Sequence, residues 1–255
     1  MHYFFISDTN NQVRYHHIKS ECERIGLPLQ VFPAIMGKDL KEEEKRRLVA
    51  TTGFLLDGEI GCALSHLAVM KRLLESDWPY VVIFEDDITF LEGVTESILT
   101  KVADFCNSTK EARVLALQPA ETYFDKAAHI EGYTIYSTPR FMGAFGYVVN
   151  RLAARSILDL QSPIQFEIDQ FKYYYMIAGC QLYFVDIPLV YVDRSTESSI
   201  GYWDNDFDDY RFKCRTRNVN ALVRQLSVTD TLRYLWRRMK KHRAKQFDGY
   251  VDARV

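Results

Sequence analysis

Glu85, Asp86 and Asp87 are consecutive carboxylates that follow directly on Val81-Val82-Ile83-Phe84. Three neighbouring acids repel one another and lose hydration when buried, so away from open water they require a compensating cation. A divalent metal holding a phosphate-bearing substrate would meet that requirement, and a solvated acidic turn would avoid it. The β-branched and aromatic run before the acids reads as a buried strand of a parallel sheet. In open α/β sheets, ligands bind at the carboxyl edge of such strands.

Other residues with chemical potential flank the triplet. Helical spacing over residues 59–70 puts Glu59, Cys62 and His66 on one stripe and Ile60, Leu64 and Leu67 on another. The leucine stripe is core. The other carries a carboxylate, a thiol and an imidazole near a helix N-terminus, which attracts anions, although His66 alone reads more readily as a hydrogen-bonded structural histidine than as a catalytic one. Glu167 and Asp169 lie in the segment 163–178. Either serves as a general base if it faces the triplet, and otherwise both are helix N-terminal charges. Gly143 and Gly146 permit close backbone approach to a ligand but do not form a phosphate loop. The acidic and aromatic stretch 202–210 begins like a calcium loop. Asp209 stands where that loop needs glycine and Arg215 where it needs glutamate, which leaves a sugar-stacking surface or a solvated loop.

The elements that must position these groups follow an α/β order. A strand over residues 2–6, a polar break, and a helix with Val13, Ile18, Cys22 and Ile25 ending at Gly26 lead to a second strand over 29–35, a βαβ unit. Its loop after the first strand and its turn at 34–38, beginning with Ala34, open on the edge that carries the triplet. A nucleobase fits there, as do plain connections. An exposed charged helix spans 38–50, a loop 51–58, and an amphipathic helix 91–105. A strand at 113–117, an irregular or hairpin stretch at 118–140, a strand before Asn150, a helix at 151–160 and extended segments at 181–185 and 189–192 complete the pattern.

The chain has 255 residues, 47% hydrophobic and 26% charged, enough for one α/β domain with a small C-terminal appendage. A formal net charge of -2 argues against a general nucleic-acid binder. Five scattered cysteines without a Cys-x-x-Cys pair argue for a reducing compartment and against a disulfide framework or a zinc site. The apolar run at the N-terminus is too short for a signal peptide, and no stretch is long enough to span a membrane, so a cytoplasmic protein is expected. The segment 229–245 differs from the rest. Its N-cap is expected at Thr229 or Asp230, and Leu232, Leu235, Trp236 and Met239 share one face. Seven basic residues against Asp230 give it about +6, leaving about -8 elsewhere. That is the pattern of an interfacial helix on anionic lipid, or of a docked helix with a solvated basic face.

The stretch Gly58-Glu59-Ile60-Gly61-Cys62-Ala63-Leu64-Ser65-His66, followed by a strand ending in Glu85-Asp86-Asp87, resembles glycosyltransferase family 25, the bacterial lipooligosaccharide biosynthesis enzymes. The likeness continues through residues 143–150, the acids of 163–169 and Ser198-Ser199-Ile200, and so covers roughly 1–201. It implies a GT-A type fold with a mostly parallel central sheet over 1–201, and it does not clearly cover the C-terminal extension over 202–255 that carries the basic helix. It also implies inverting transfer of a hexose, galactose in the first instance, from a UDP-sugar with Mn²⁺ or Mg²⁺ to a lipooligosaccharide acceptor at the cytoplasmic face of the inner membrane. On this likeness the triplet looks like the family's metal motif, and Glu59, Cys62 and His66 belong near the nucleotide sugar with Ser7, Arg14, Ala34, Gly143 and Gly146. Where family members usually carry Asn-Leu-Asp-Arg after the first strand, this chain has Ser7-Asp8-Thr9-Asn10, with Arg14 following.

Strand alternation would point Glu85 and Asp87 together and Asp86 away. Metal contact is therefore expected of Asp87 first and metal or ribose contact of Glu85, with Asp86 orienting either; an earlier strand end shifts this by one. Asp169 is the expected base, with Glu167 second. Two competing readings are a metal-dependent phosphoryl-transfer enzyme and a non-catalytic carbohydrate-binding module.

Overall fold

The computed structural model describes residues 1–107, 109–192 and 205–250. Ser198-Ser199-Ile200 and the start of the 202–210 stretch lie outside these residues. The first half of the chain runs β1 (Tyr3–Ser7), α1 (Gln12–Ile25), β2 (Val31–Pro33), α2 (Glu42–Leu48), α3 (Asp57–Glu75), β3 (Tyr80–Glu85), β4 (Ile88–Phe90), α4 (Glu96–Ala103) and β5 (Arg113–Ala116). Next come β6 (Thr122–Tyr123), β7 (Lys126–Ile130), β8 (Tyr133–Thr138), β9 (Gly146–Asn150), α5 (Arg151–Leu160) and α6 (Phe171–Tyr173), which continues as a π-helical turn to Ala178. The remainder is β10 (Gln181–Val185), β11 (Val190–Val192), α7 (Asn205–Arg224), α8 (Val228–Lys240) and β12 (Lys245–Gln246).

The central sheet has eight strands in the order β2-β1-β3-β9-β5-β10-β8-β7. It is mixed, which corrects the mostly parallel sheet expected above. The β1–β2, β1–β3 and β5–β10 pairs are parallel, whereas β9 runs antiparallel between β3 and β5, and β8 antiparallel to both β10 and β7. After the β7–β8 hairpin the chain returns to the gap between β3 and β5, where β9 runs opposite to both neighbours.

Alternation along β3 explains its unbroken apolar run. Val81 and Ile83 join the core on one face, with Met70, Ala153 and Phe171, while Tyr80, Val82 and Phe84 join the core on the other, with Ile18, Cys22 and Leu99. Both faces are covered, so neither can be polar. The helix expected over 91–105 is shorter, because residues 91–95 form the turn that leads into α4; the charged helix expected over 38–50 divides into a 3₁₀ turn at Gly37–Asp39 and α2.

Close backbone contact anchors the start of α3 to the turn after β2. A Cβ added at Gly61 would lie 2.4 Å from the Ile35 carbonyl oxygen and 2.6 Å from the Gly37 nitrogen. Ser65 Oγ reinforces the contact, accepting from the Ile35 amide at 2.8 Å and donating to the Gly61 carbonyl at 2.8 Å. In an open helix Gly→Ala is worth about 1 kcal/mol in stability, but here the added methyl meets backbone that cannot rotate away. Gly61→Ala is therefore expected to lower stability by about 1–3 kcal/mol, read from the urea midpoint at unchanged m-value.

Candidate active site

The strand part of β3 stops at Glu85, and Asp86 and Asp87 lie in the turn to β4. Side-chain alternation stops with it, so the triplet divides differently from the alternation expected above. Asp86 and Asp87 both face α1, where Arg14 donates to Asp86 Oδ1 at 2.8 Å and sits 3.2 Å from Asp87 Oδ2. Glu85 turns instead toward α3, with Oε1 3.3 Å from His66 Nε2 and 3.8 Å from Cys62 Sγ. His66 is fully buried. Its Nδ1 lies 2.9 Å from the Tyr147 hydroxyl of β9, against whose ring it stacks.

Arg14 serves two carboxylates and Glu85 adds a third. Burial, and next the charge of Glu85, push the Asp87 carboxyl up to about 7 even though Arg14 pulls it down. Asp87 Oδ1 is buried and has no hydrogen-bond partner among the described residues. An excess of carboxylate charge and an orphaned oxygen fit a hard divalent cation such as Mg²⁺ or Mn²⁺, which takes oxygen ligands.

Two chambers meet at these residues. The first lies between the loop after β1, the turn after β2 and α3, and its lining includes Asp8, Asn11, Arg14, Ala34, Gly37 and His66. The second lies beyond β3, with Glu59, Gly143, Phe145, Glu167, Asp169 and Arg211 in its wall. Cys62, Glu85 and Asp87 line both.

Arg14, Ala34, Cys62 and His66 thus stand around the first chamber, and Glu59, Gly143, Glu167 and Asp169 around the second. Ser7 and Gly146 line neither. Ser7 is buried at the end of β1, and a Cβ on Gly146 would lie 2.5 Å from Val190 Cγ2, so its small size serves packing rather than ligand approach.

The two candidate bases differ in setting. Glu167 Oε1 accepts from Arg211 Nη2 and Arg215 Nη1, each at 2.7 Å, and Arg211 also reaches Glu59 Oε1 at 2.5 Å. Glu59 Oε2 in turn accepts from the Leu56 amide at 2.8 Å, at the start of α3. Among the described residues Asp169 makes no salt bridge, and its carboxylate accepts only a long contact from Gln170 Nε2 at 3.3 Å. Desolvation, and then the charge of Glu167, raise its carboxyl above the usual range.

Arg211 and Arg215 were not singled out from sequence. They lie on α7, whose start falls in the stretch 202–210 expected to be a sugar-stacking surface or a solvated loop; the structure has helix from Asn205 onward. A signal was present, because the buried Arg211, Cys214, Asn218 and Val219 follow helical spacing. Half of that stripe is polar, so hydrophobic periodicity misses it. Asn218 is held by Thr51 Oγ1 at 2.8 Å and the Gln165 carbonyl at 2.9 Å.

The helix α8 is capped by Ser227, whose Oγ accepts from the Asp230 amide, and not by Thr229 or Asp230. It packs on the domain through the buried Tyr234 and through Arg237, whose guanidinium lies against Gly179. Leu232, Leu235, Trp236 and Met239 stay exposed. No helix among the described residues is long and apolar enough to cross a membrane.

Together these features define an α/β protein with a carboxylate-rich cleft, open on two sides, at the carboxyl edge of β1 and β3. Residues 1–172 match the family model described as glycosyltransferase family 25, LPS biosynthesis protein. The chain belongs to glycosyltransferase family 25. It is 27% identical over 253 residues to a Haemophilus influenzae strain Rd protein that bears a provisional glycosyltransferase name, covering 94% of this chain and 85% of the relative. It is also 27% identical to the lacto-N-neotetraose biosynthesis glycosyltransferase LgtB of Neisseria meningitidis serogroup B, over 57% of this chain and 56% of LgtB. The lipooligosaccharide biosynthesis protein lic2B of Haemophilus influenzae matches at 27% over 60% of this chain and 61% of its own length.

Proposed function

We propose that this glycosyltransferase moves a hexose, galactose in the first instance, from a UDP-sugar to a lipooligosaccharide acceptor with inversion at the anomeric carbon. The observation that carries the reading is the meeting of two chambers at Cys62, Glu85 and Asp87. A donor with its nucleotide in the first chamber would bring its sugar to the junction, and an acceptor would enter through the second. The names of LgtB and lic2B support the acceptor class.

Asp87, with Glu85 beside it, would hold Mg²⁺ or Mn²⁺, and Asp86 is engaged by Arg14. Such an ion, when bound, supplies positive charge where the departing diphosphate gains negative charge. Arg14 fixes the direction of Asp86 and Asp87 and keeps part of their charge compensated before substrate arrives. Asp169, in the second chamber, takes the proton from the attacking acceptor hydroxyl, on the side away from the leaving group. Glu167, clamped by two arginines, positions the segment that carries Asp169. His66 and Tyr147 hold Glu85 in place.

The exposed apolar stripe and basic flank of α8 support peripheral binding to anionic lipid, each basic residue near the surface adding about 1 kcal/mol. This would bring a membrane-anchored acceptor and the second chamber together at the cytoplasmic face of the inner membrane.

A panel of nucleotide sugars with Mn²⁺ or Mg²⁺ tests the reading, using thermal shift and slow donor hydrolysis as readouts. A UDP-hexose should give the largest shift, and hydrolysis should depend on metal. Cleavage of phosphodiesters in place of UDP-hexose would favour the phosphoryl-transfer alternative, and no response to any nucleotide sugar would remove the reading. For the membrane part, Leu232→Ser with Trp236→Ser should reduce sedimentation with anionic vesicles severalfold, and unchanged sedimentation would retire it.

A further inference from the structure

Cys62, His66 and Glu85 each bring one metal-ligating atom within 4.8 Å of the other two. We propose that they form a second cation site, for a thiophilic divalent ion such as Zn²⁺, distinct in chemistry from the oxygen site at Asp87 and joined to it through Glu85. The proposal's effect on transfer rests on the function proposed above, whereas the site itself does not.

Geometry supports the site. Tetrahedral zinc with ordinary nitrogen, oxygen and sulfur bond lengths sets its nitrogen and oxygen ligands about 3.3 Å apart and its sulfur and oxygen ligands about 3.6 Å apart. The observed separations are 3.3 Å from His66 Nε2 to Glu85 Oε1 and 3.8 Å from Cys62 Sγ to the same oxygen. Both are long for strong hydrogen bonds and suited to atoms sharing one ion.

The surroundings are those of a ligand set. The Tyr147 hydroxyl oxygen, 2.9 Å from His66 Nδ1, can accept a hydrogen bond from Nδ1–H, the tautomer that leaves the Nε2 lone pair for the metal. Rigid elements, α3 and β3, carry all three ligands. Cys62 and Glu85 face the chambers, so a fourth position opens toward solvent or substrate, the arrangement of a three-ligand zinc site. A thiolate and an imidazole select a softer ion than carboxylates alone. Cys62 and His66 stand four apart on one helix, and the third ligand comes from a strand. This explains why the absence of a Cys-x-x-Cys pair pointed away from zinc.

On binding, the Cys62 S–H bond breaks, its proton passes to solvent, and the sulfur electron pair forms the bond to the metal; no electron transfer is involved. Because Glu85 belongs to both sites, occupancy draws it from the donor-binding junction. Micromolar zinc should then inhibit transfer, and a zinc-selective chelator, with Mg²⁺ or Mn²⁺ kept in excess, should restore it.

Co²⁺, which reports thiolate and tetrahedral ligation by its absorption, tests the site without any assay of transfer. Titration of the unsubstituted protein should give a sulfur-to-cobalt charge-transfer band that saturates at one equivalent. Cys62→Ser should abolish the band, and Asp87→Asn should keep it. Glu85→Gln, which preserves shape, should weaken cobalt binding by more than about tenfold. Absence of the band in the unsubstituted protein, or its survival in Cys62→Ser, would overturn the proposal. Loss of the band in Asp87→Asn would overturn the separation of the two sites. Because none of these readouts involves a sugar, a negative result here leaves the transferase reading intact, and a failed nucleotide-sugar screen leaves this site intact.

Discussion

Asp87→Ala is expected to leave a folded protein whose transfer rate falls on the order of 10³-fold and whose melting temperature no longer rises with UDP and Mn²⁺ together. Asp86 and Asp87 share Arg14 with Glu85 close by, and Asp87 retains a buried oxygen with no hydrogen-bond partner among the described residues. Its carboxyl is pushed up to about 7, so in the folded protein it holds a proton that the unfolded chain would already have released. Between about pH 4 and about pH 7 the unfolded state therefore binds fewer protons, and stability falls as pH rises through that window. Asp87→Asn should flatten this slope when no divalent ion is present, as followed by melting temperature against pH. Retained transfer and retained metal-dependent shift in Asp87→Ala would remove this residue from the site.

Asp169→Asn is expected to lower kcat by about 10²–10⁴-fold while UDP binding stays near normal. A base must be ionised to act. Desolvation and the charge of Glu167 hold the Asp169 carboxyl above the ordinary range, so the acid limb of kcat/KM should lie above that range and activity should rise with pH through it. Glu167→Gln differs in kind: it weakens the contacts to Arg211 and Arg215, and should affect stability and KM as well as kcat. Near-normal turnover in Asp169→Asn would exclude it as the base.

The strand that carries the acids was legible because burial on two faces leaves a continuous apolar run, visible at Val81 to Phe84. Gly26, which ends α1 with φ +74°, was legible for a similarly local reason, since only glycine adopts that backbone cheaply. Strand direction was not legible. The apolar residues of β9 look the same whether the strand runs parallel or antiparallel to β3, and its partners, β3 and β5, lie far back in the chain. The internal division of the triplet depended on one residue of strand length, since Asp86 turns toward Arg14 only because β3 ends at Glu85. On α7 the acids and aromatics ahead of Arg211 looked like a loop, and its partners, Glu59 and Glu167, lie far away in the chain. No local pattern announces a pairing of that range.

That long-range pairing bears on how the protein is made. As the chain emerges from the ribosome, the sheet and α3 can assemble while Arg211 is still to be synthesised, so Glu59 and Glu167 face each other uncompensated until α7 arrives. A nascent chain arrested before α7 should accordingly be more sensitive to protease around the second chamber than the completed one. The last helices act as a clasp, closing a cleft whose walls were translated much earlier.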